Sequence, residues 1–145
     1  MVKKAAVTDS NTLAKLAIQM WDSASLAELE TDFSKIISSE TAVCFIKYAE
    51  NDTPIGFAQC SLRNDYVEGT NSYPVGYLEG VFIEEKYRKK GYAKELLFAC
   101  EKWAKDKGCS EFASDCELTN ADSLKFHLSM GFDEANRIIC FRKDI

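Results

Sequence analysis

The run Arg88-Lys89-Lys90-Gly91-Tyr92-Ala93 puts three cations and a glycine where a helix should begin, soon after the apolar stretch from Tyr77 to Ile83. A helix start leaves backbone N–H groups without intrahelical partners, and its dipole adds partial positive charge. A glycine there offers no side chain to block an approaching anion and frees the backbone dihedrals. Such a turn suits a phosphate or pyrophosphate. The same residues also describe an ordinary solvated helix start, so the surrounding chemistry has to decide between the two.

That chemistry is acidic. Glu79 interrupts Gly76-Tyr77-Leu78-Glu79-Gly80-Val81-Phe82, and Asp115 interrupts Phe112-Ala113-Ser114-Asp115-Cys116. Burying a carboxylate without a partner is costly. Strand alternation could turn Glu79 to solvent; otherwise it forms the floor of a cleft. Two acids near the ends of two central strands could converge, hold a cation and take a proton from an amine. The sole histidine, His127, lies two turns from Asn120 on nearly the same face of a predicted helix. It reads as a proton carrier or as a structural residue. Trp21 and Tyr66 read as packing residues or ligand contacts.

The elements that must position these groups follow from the pattern of apolar residues. Val2 to Val7 reads as a first strand. Asp9 is placed to cap a helix bearing Leu13, Leu16, Ala17 and Met20, and Ser25 with Glu28 forms a capping box for a second. Thr41 to Tyr48 and Ile55 to Leu62 read as a hairpin turning at Glu50-Asn51-Asp52. Val75 to Ile83 is a nearly all-apolar strand. A helix from Lys90 to Lys107 carries the stripe Ala93, Leu96, Leu97, Cys100 and Trp103. Glu111 to Cys116 is a strand, Asn120 to Met130 a helix, and Arg137 to Arg142 a final strand. The order β-α-α-β-β-β-α-β-α-β predicts an α/β fold, a mixed sheet with helices on both faces.

Bulk properties bound the partners. The 145 residues fit one domain spanning 1–145, and 46% hydrophobic residues supply a core. A formal net charge of −5 argues against nucleic acid and suits a cationic partner, or simply solubility. No apolar run is long enough for a bilayer, and none after Met1-Val2-Lys3-Lys4 resembles a secretory segment. A cytoplasmic chain with no membrane partner is expected. The six cysteines include no CxxC pair, and most sit in apolar runs such as Val43-Cys44-Phe45 and Ile139-Cys140-Phe141. They read as reduced core residues, and with one histidine no metal site is expected.

Taken together, the pieces resemble a known family. Arg88-x-x-Gly91-x-Ala93 after Val81-Phe82-Ile83 resembles the acetyl-CoA-binding motif of the GNAT acetyltransferases. Asn120-x-x-Ser123, then His127, then Gly131-Phe132, resembles the next motif of that superfamily. Trp21-Asp22, Pro54 to Ala58, Arg63 to Thr70, Pro74 to Gly80 and Glu111 to Asp115 are similar to bacterial aminoglycoside 6'-N-acetyltransferases, so that nearly the whole chain is covered.

The resemblance implies a GNAT-type, mostly antiparallel sheet and acetyl transfer from acetyl-CoA to the 6'-amine of an aminoglycoside, a resistance activity. Val81, Phe82 and Ile83 would pair with the pantetheine arm as an added strand. Arg88, Lys89, Lys90, Gly91, Tyr92 and Ala93 would hold the pyrophosphate through their N–H groups, and Asn120 would contact the cofactor near its thioester. Trp21, Tyr66, Glu79 and Asp115 would line the drug pocket. Asn136 falls where relatives carry an acid that touches the drug, a departure. Glu79 or Asp115 would accept the amine proton, through a water. His127, standing where many relatives carry a tyrosine, or solvent would protonate the leaving thiolate. Relatives are commonly homodimers. The competing readings are a GNAT enzyme for a polyamine or peptide amine, and a non-catalytic acetyl-CoA-binding regulator.

Overall fold

The computed structural model describes every residue from Met1 to Ile145. Its elements are β1 (Val2–Lys4), α1 (Ser10–Ala17), α2 (Leu26–Ile37), β2 (Ala42–Tyr48), β3 (Pro54–Arg63), β4 (Val75–Ile83), α3 (Tyr92–Asp106), β5 (Phe112–Ser114) and α4 (Ala121–Ser129). The strands form one sheet in the order β1-β2-β3-β4-β5. Every pairing is antiparallel except the parallel one between β4 and β5. The fold is therefore the mixed, mostly antiparallel sheet that the resemblance implies.

Local chemistry sets the helix starts. Ser25 Oγ accepts from the Glu28 N–H at 3.1 Å while the Glu28 carboxylate accepts from the Ser25 N–H at 3.1 Å. This closed box fixes the first turn of α2. Asn120 Oδ1 accepts from the Ser123 N–H at 3.0 Å and caps α4. Asp9 behaves differently from expectation. It precedes α1, but its carboxylate turns back to the Ala6 N–H at 2.8 Å and closes the preceding turn instead.

Two cores lie on opposite faces of the sheet. Leu13 and Leu16 of α1, with Leu29 and Phe33 of α2, pack on Phe57 and Phe82. Leu96, Leu97 and Cys100 of α3 pack on Ala58, Cys60, Leu78 and Ile83. The strand period of two sends Phe57 one way and its neighbour Ala58 the other. Between β3 and β4 the approach is tight. A Cβ on Gly56 would sit 2.5 Å from the Phe82 carbonyl oxygen and 2.5 Å from Ile83 Cδ1. Gly56→Ala should cost about 2–3 kcal/mol through this overpacking. Urea denaturation checks it, and an unchanged midpoint would mean that the two strands can spread at no cost.

Two expectations are corrected. The segment Arg137–Arg142 forms no strand, although its residues alternate in a strand-like way. A strand needs a neighbour for its N–H and C=O groups, and this stretch finds none within the chain. Ile138, Ile139 and Phe141 are 66%, 80% and 89% exposed as a result. The cysteine reading holds for Cys44, Cys60 and Cys100, which are buried, but not for Cys116 and Cys140, which are exposed. No helix is long and apolar enough to cross a membrane.

Candidate active site

A break in strand register creates the site. Gln59 pairs with Gly80, but Cys60 pairs with Leu78, so Glu79 is the extra residue of a β-bulge. The bulge re-aims its carboxylate toward β3. Ser61 Oγ donates to Glu79 Oε1 at 2.5 Å, and Arg63 Nη2 donates to both carboxylate oxygens at 3.0 Å. Glu79 is thus neither aimed at bulk water nor a bare acid on a cleft floor. It is a partnered carboxylate, its side chain one-quarter exposed.

Arg63 extends the network. Its guanidinium lies 3.4 Å from the centre of the Tyr77 ring, a cation–π contact. The Tyr77 phenol donates to Asp115 Oδ2. Burial first, then the bond to Asp115, raise the phenol's pKa, so Tyr77 stays a donor. Asp115 itself lies one residue past β5 and is exposed. The two predicted acids are therefore brought together, joined through Arg63 and Tyr77.

Arg63, Tyr77 and Asp115 border a cavity of about 1110 Å³ lined by residues of the β3–β4 loop, β5, α4 and the segment after it, while Glu79 stands behind Arg63 and is not part of the lining. Its lining holds seven carboxylates against two guanidiniums, so it favours cations. Tyr66 is exposed at its rim and donates to Glu68 at 2.7 Å, and Asn136 Nδ2 donates to the same carboxylate at 2.9 Å. Those two bonds, from Asn136 first, lower the Glu68 pKa. Asn136 therefore brings an acid into the site through Glu68. Trp21 packs on Phe33 and Phe57 in the core, with its ring edge 3.0 Å from where a Gly80 Cβ would stand.

The other face of the sheet presents different groups. Ser114 is the last residue of β5 and pairs with Leu78. Its hydroxyl lies 2.8 Å from His127 Nε2 and 3.4 Å from the Leu78 carbonyl oxygen. His127 Nδ1 lies 2.7 Å from the Ser123 carbonyl oxygen. A carbonyl only accepts, so Nδ1 carries the proton and Nε2 of the neutral ring is the acceptor.

Past the Leu78–Ser114 pair, β4 and β5 part. The β5-facing edge of Val81, Phe82 and Ile83 is open but for one group: Arg88 Nε donates to the Ile83 carbonyl at 2.8 Å. The turn before α3 follows. Lys89 and Gly91 have φ of 62° and 81°, left-handed values that line successive N–H groups along one concave side. No side chain caps α3, and nothing lies within 4 Å of where a Gly91 Cβ would stand. One expectation changes in detail. The Arg88 N–H already bonds the Glu85 carbonyl at 3.1 Å, so the free donors start after it.

Known proteins resemble this chain in sequence and fold. Residues 10–132 match the model of the acetyltransferase (GNAT) family. The chain belongs to the GNAT family. An aminoglycoside N(6')-acetyltransferase type 1 of Salmonella typhimurium is 41% identical over 129 residues, covering 86% of each chain. The enzyme of that name from Serratia marcescens is 35% identical, covering 90% of this chain and 89% of its own. The structure of AAC(6')-Iy with the bisubstrate analogue CoA-S-monomethyl-acetylneamine superposes with a TM-score of 0.95 at 35% identity, covering 100% of this chain and 98% of that one.

Within this GNAT chain the two halves of the site occupy opposite faces of the sheet. Tyr77, Glu79 and Asp115 face the α1–α2 side, and Ser114 with His127 faces the α3 side. They are joined by the cavity itself, whose lining takes in Tyr77 and Asp115 as well as Ser114 and His127, beside the point where β4 and β5 stop pairing. Arg63, Tyr77, Ser114 and Glu68 were given no role from sequence. Arg63 and Ser61 flank Glu79 only through the β3–β4 register, and a register count across the hairpin is the signal that would have found them.

Proposed function

We infer that this chain acetylates the 6'-amine of aminoglycoside antibiotics from acetyl-CoA, by direct transfer in a ternary complex, and so confers resistance. The observation that carries the reading is the gap between β4 and β5, with an N–H cradle at one end and an acid-lined cavity at the other. The residues fit the carrier. An open strand edge at Val81–Ile83 suits an amide-bearing arm, and the uncapped α3 start suits a pyrophosphate. Acetyl-CoA supplies the activated acetyl group; the protein supplies positioning and proton management.

Asp115 is the better base of the two acids. Ser61 and Arg63 occupy both Glu79 oxygens, whereas Asp115 holds one phenol and faces the cavity. Through a water it takes the proton that the 6'-ammonium must lose before it can attack. Glu79, held by Arg63, orients the cationic sugar, with Tyr66 and Trp21 as walls. A backbone N–H of the Val81 strand holds the developing oxyanion. Asn120 spends its carbonyl oxygen on the α4 cap, which leaves its amide nitrogen for the cofactor near the thioester.

The whole chain acts as one catalytic domain in the cytoplasm, as a homodimer. The unpaired, apolar segment around Ile139 supports the dimer, since a second copy offers the strand partner that one chain lacks. The deciding assay is thiol release from acetyl-CoA against aminoglycosides that have or lack a 6'-amino group. Release confined to the former is expected. Equal release with both sets, or release only with spermidine or a peptide, would replace this substrate.

A further inference from the structure

We propose that Ser114 is a catalytic residue, the group that hands a proton to the departing sulfur, and that His127 acts only through it. The inference rests on the acetyl-transfer reading above. Both nitrogens of His127 are committed, Nδ1 to the Ser123 carbonyl at 2.7 Å and Nε2 to Ser114 Oγ at 2.8 Å. The rings of Phe126 and Phe132 lie edge-on at 5.6 and 5.2 Å and fix its plane. The imidazole therefore has no nitrogen free to meet a thiolate. Ser114 does line the cavity, and it belongs to the last residue pair before β4 and β5 stop pairing.

The hydroxyl has one proton and two acceptors within reach, Nε2 at 2.8 Å and the Leu78 carbonyl at 3.4 Å. A neutral ring draws that proton to Nε2. A protonated ring donates from Nε2 to Ser114 Oγ instead and turns the hydroxyl proton out, toward Leu78 and the gap. Charge on the imidazole thus sets which way Ser114 points.

Asp115 first passes the ammonium's proton on to solvent. The neutral amine nitrogen then forms its bond to the acetyl carbon, and the second proton that nitrogen must shed to become an amide leaves to the Asp115 side. The carbon–sulfur bond breaks and sulfur keeps the electron pair. Ser114 Oγ–H gives its proton to sulfur while the imidazolium Nε2–H gives its own to Ser114 Oγ. His127 is left neutral with Nδ1 protonated, and solvent restores the imidazolium. Acid and base are thus two different side chains of one cavity, Ser114 and Asp115.

Because His127 is the only histidine, ¹⁵N-histidine labelling of the full chain reports this ring alone. Its neutral form should carry the proton on Nδ1, and coenzyme A should shift the Nε2 signal in the wild type but not in Ser114→Ala. In turnover, Ser114→Ala should lower kcat about 100-fold, at the low end of general-acid effects, with the KM for acetyl-CoA nearly unchanged. His127→Gln should lose as much, the double variant no more than either, and Ser114→Thr should recover most of the rate. An Nε2-protonated ring, full kcat in Ser114→Ala, or losses that multiply in the double variant would each overturn the proposal. A wild type inactive on every aminoglycoside would refute the substrate reading alone, and the ring signal with coenzyme A would still judge Ser114.

Discussion

Gly91→Asp should weaken coenzyme A binding about 100-fold and leave the fold standing. Space is not the obstacle, since no atom lies within 4 Å of where the new Cβ would be. The backbone at φ 81° costs a non-glycine residue about 1–2 kcal/mol. A carboxylate at the positive end of α3 returns about 0.3–1 kcal/mol, so the helix survives. The ligand sees the opposite sign. A unit charge about 5 Å from a phosphate charge costs about 3 kcal/mol at an effective dielectric of 20, roughly two decades in affinity. The cradle is exposed, so added salt should shrink the loss, whereas a loss caused by misfolding would persist. Titration calorimetry at two salt concentrations measures both. A dissociation constant within threefold of the wild type would remove the pyrophosphate from this turn.

Asp115→Ala should cut kcat/KM for kanamycin or tobramycin by 100-fold or more while coenzyme A affinity holds within about twofold. The substitution removes the carboxylate best placed to take the amine proton and also strips the Tyr77 phenol of its acceptor. Asp115→Asn separates the two effects. It keeps an acceptor for the phenol but removes the charge, so a loss as deep as that of alanine assigns the role to the charge. Recovery of most activity by asparagine would make Asp115 a support for Tyr77. Glu79→Gln should be milder, because Ser61 and Arg63 already hold that carboxylate and a guanidinium already offsets its charge.

Much of the positioning frame was legible because it depends on near neighbours. The apolar run Val75 to Ile83 matches β4 residue for residue. The stripe Ala93, Leu96, Leu97, Cys100 marks the inward face of α3, and the box of Ser25 with Glu28 closes as written. Gly91 at the helix start has the left-handed φ that motivates a glycine there. The segment Arg137–Arg142 failed for the complementary reason. Alternation describes which side chains could share a face, but a strand exists only where another edge accepts its backbone.

Residue type and short-range spacing alone determined the helix starts, the apolar strands and the presence of a basic glycine turn, two interrupting acids and one histidine. These rest on hydrogen bonds and burial patterns repeating within a few residues. Only the tertiary structure decided that Arg63 neutralises Glu79, that Tyr77 ties it to Asp115, and that His127 meets Ser114 instead of open space. Those contacts join residues from 13 to 38 positions apart. Their partners are set by strand register, where one bulged residue re-aims a side chain, and by the point at which two parallel strands separate.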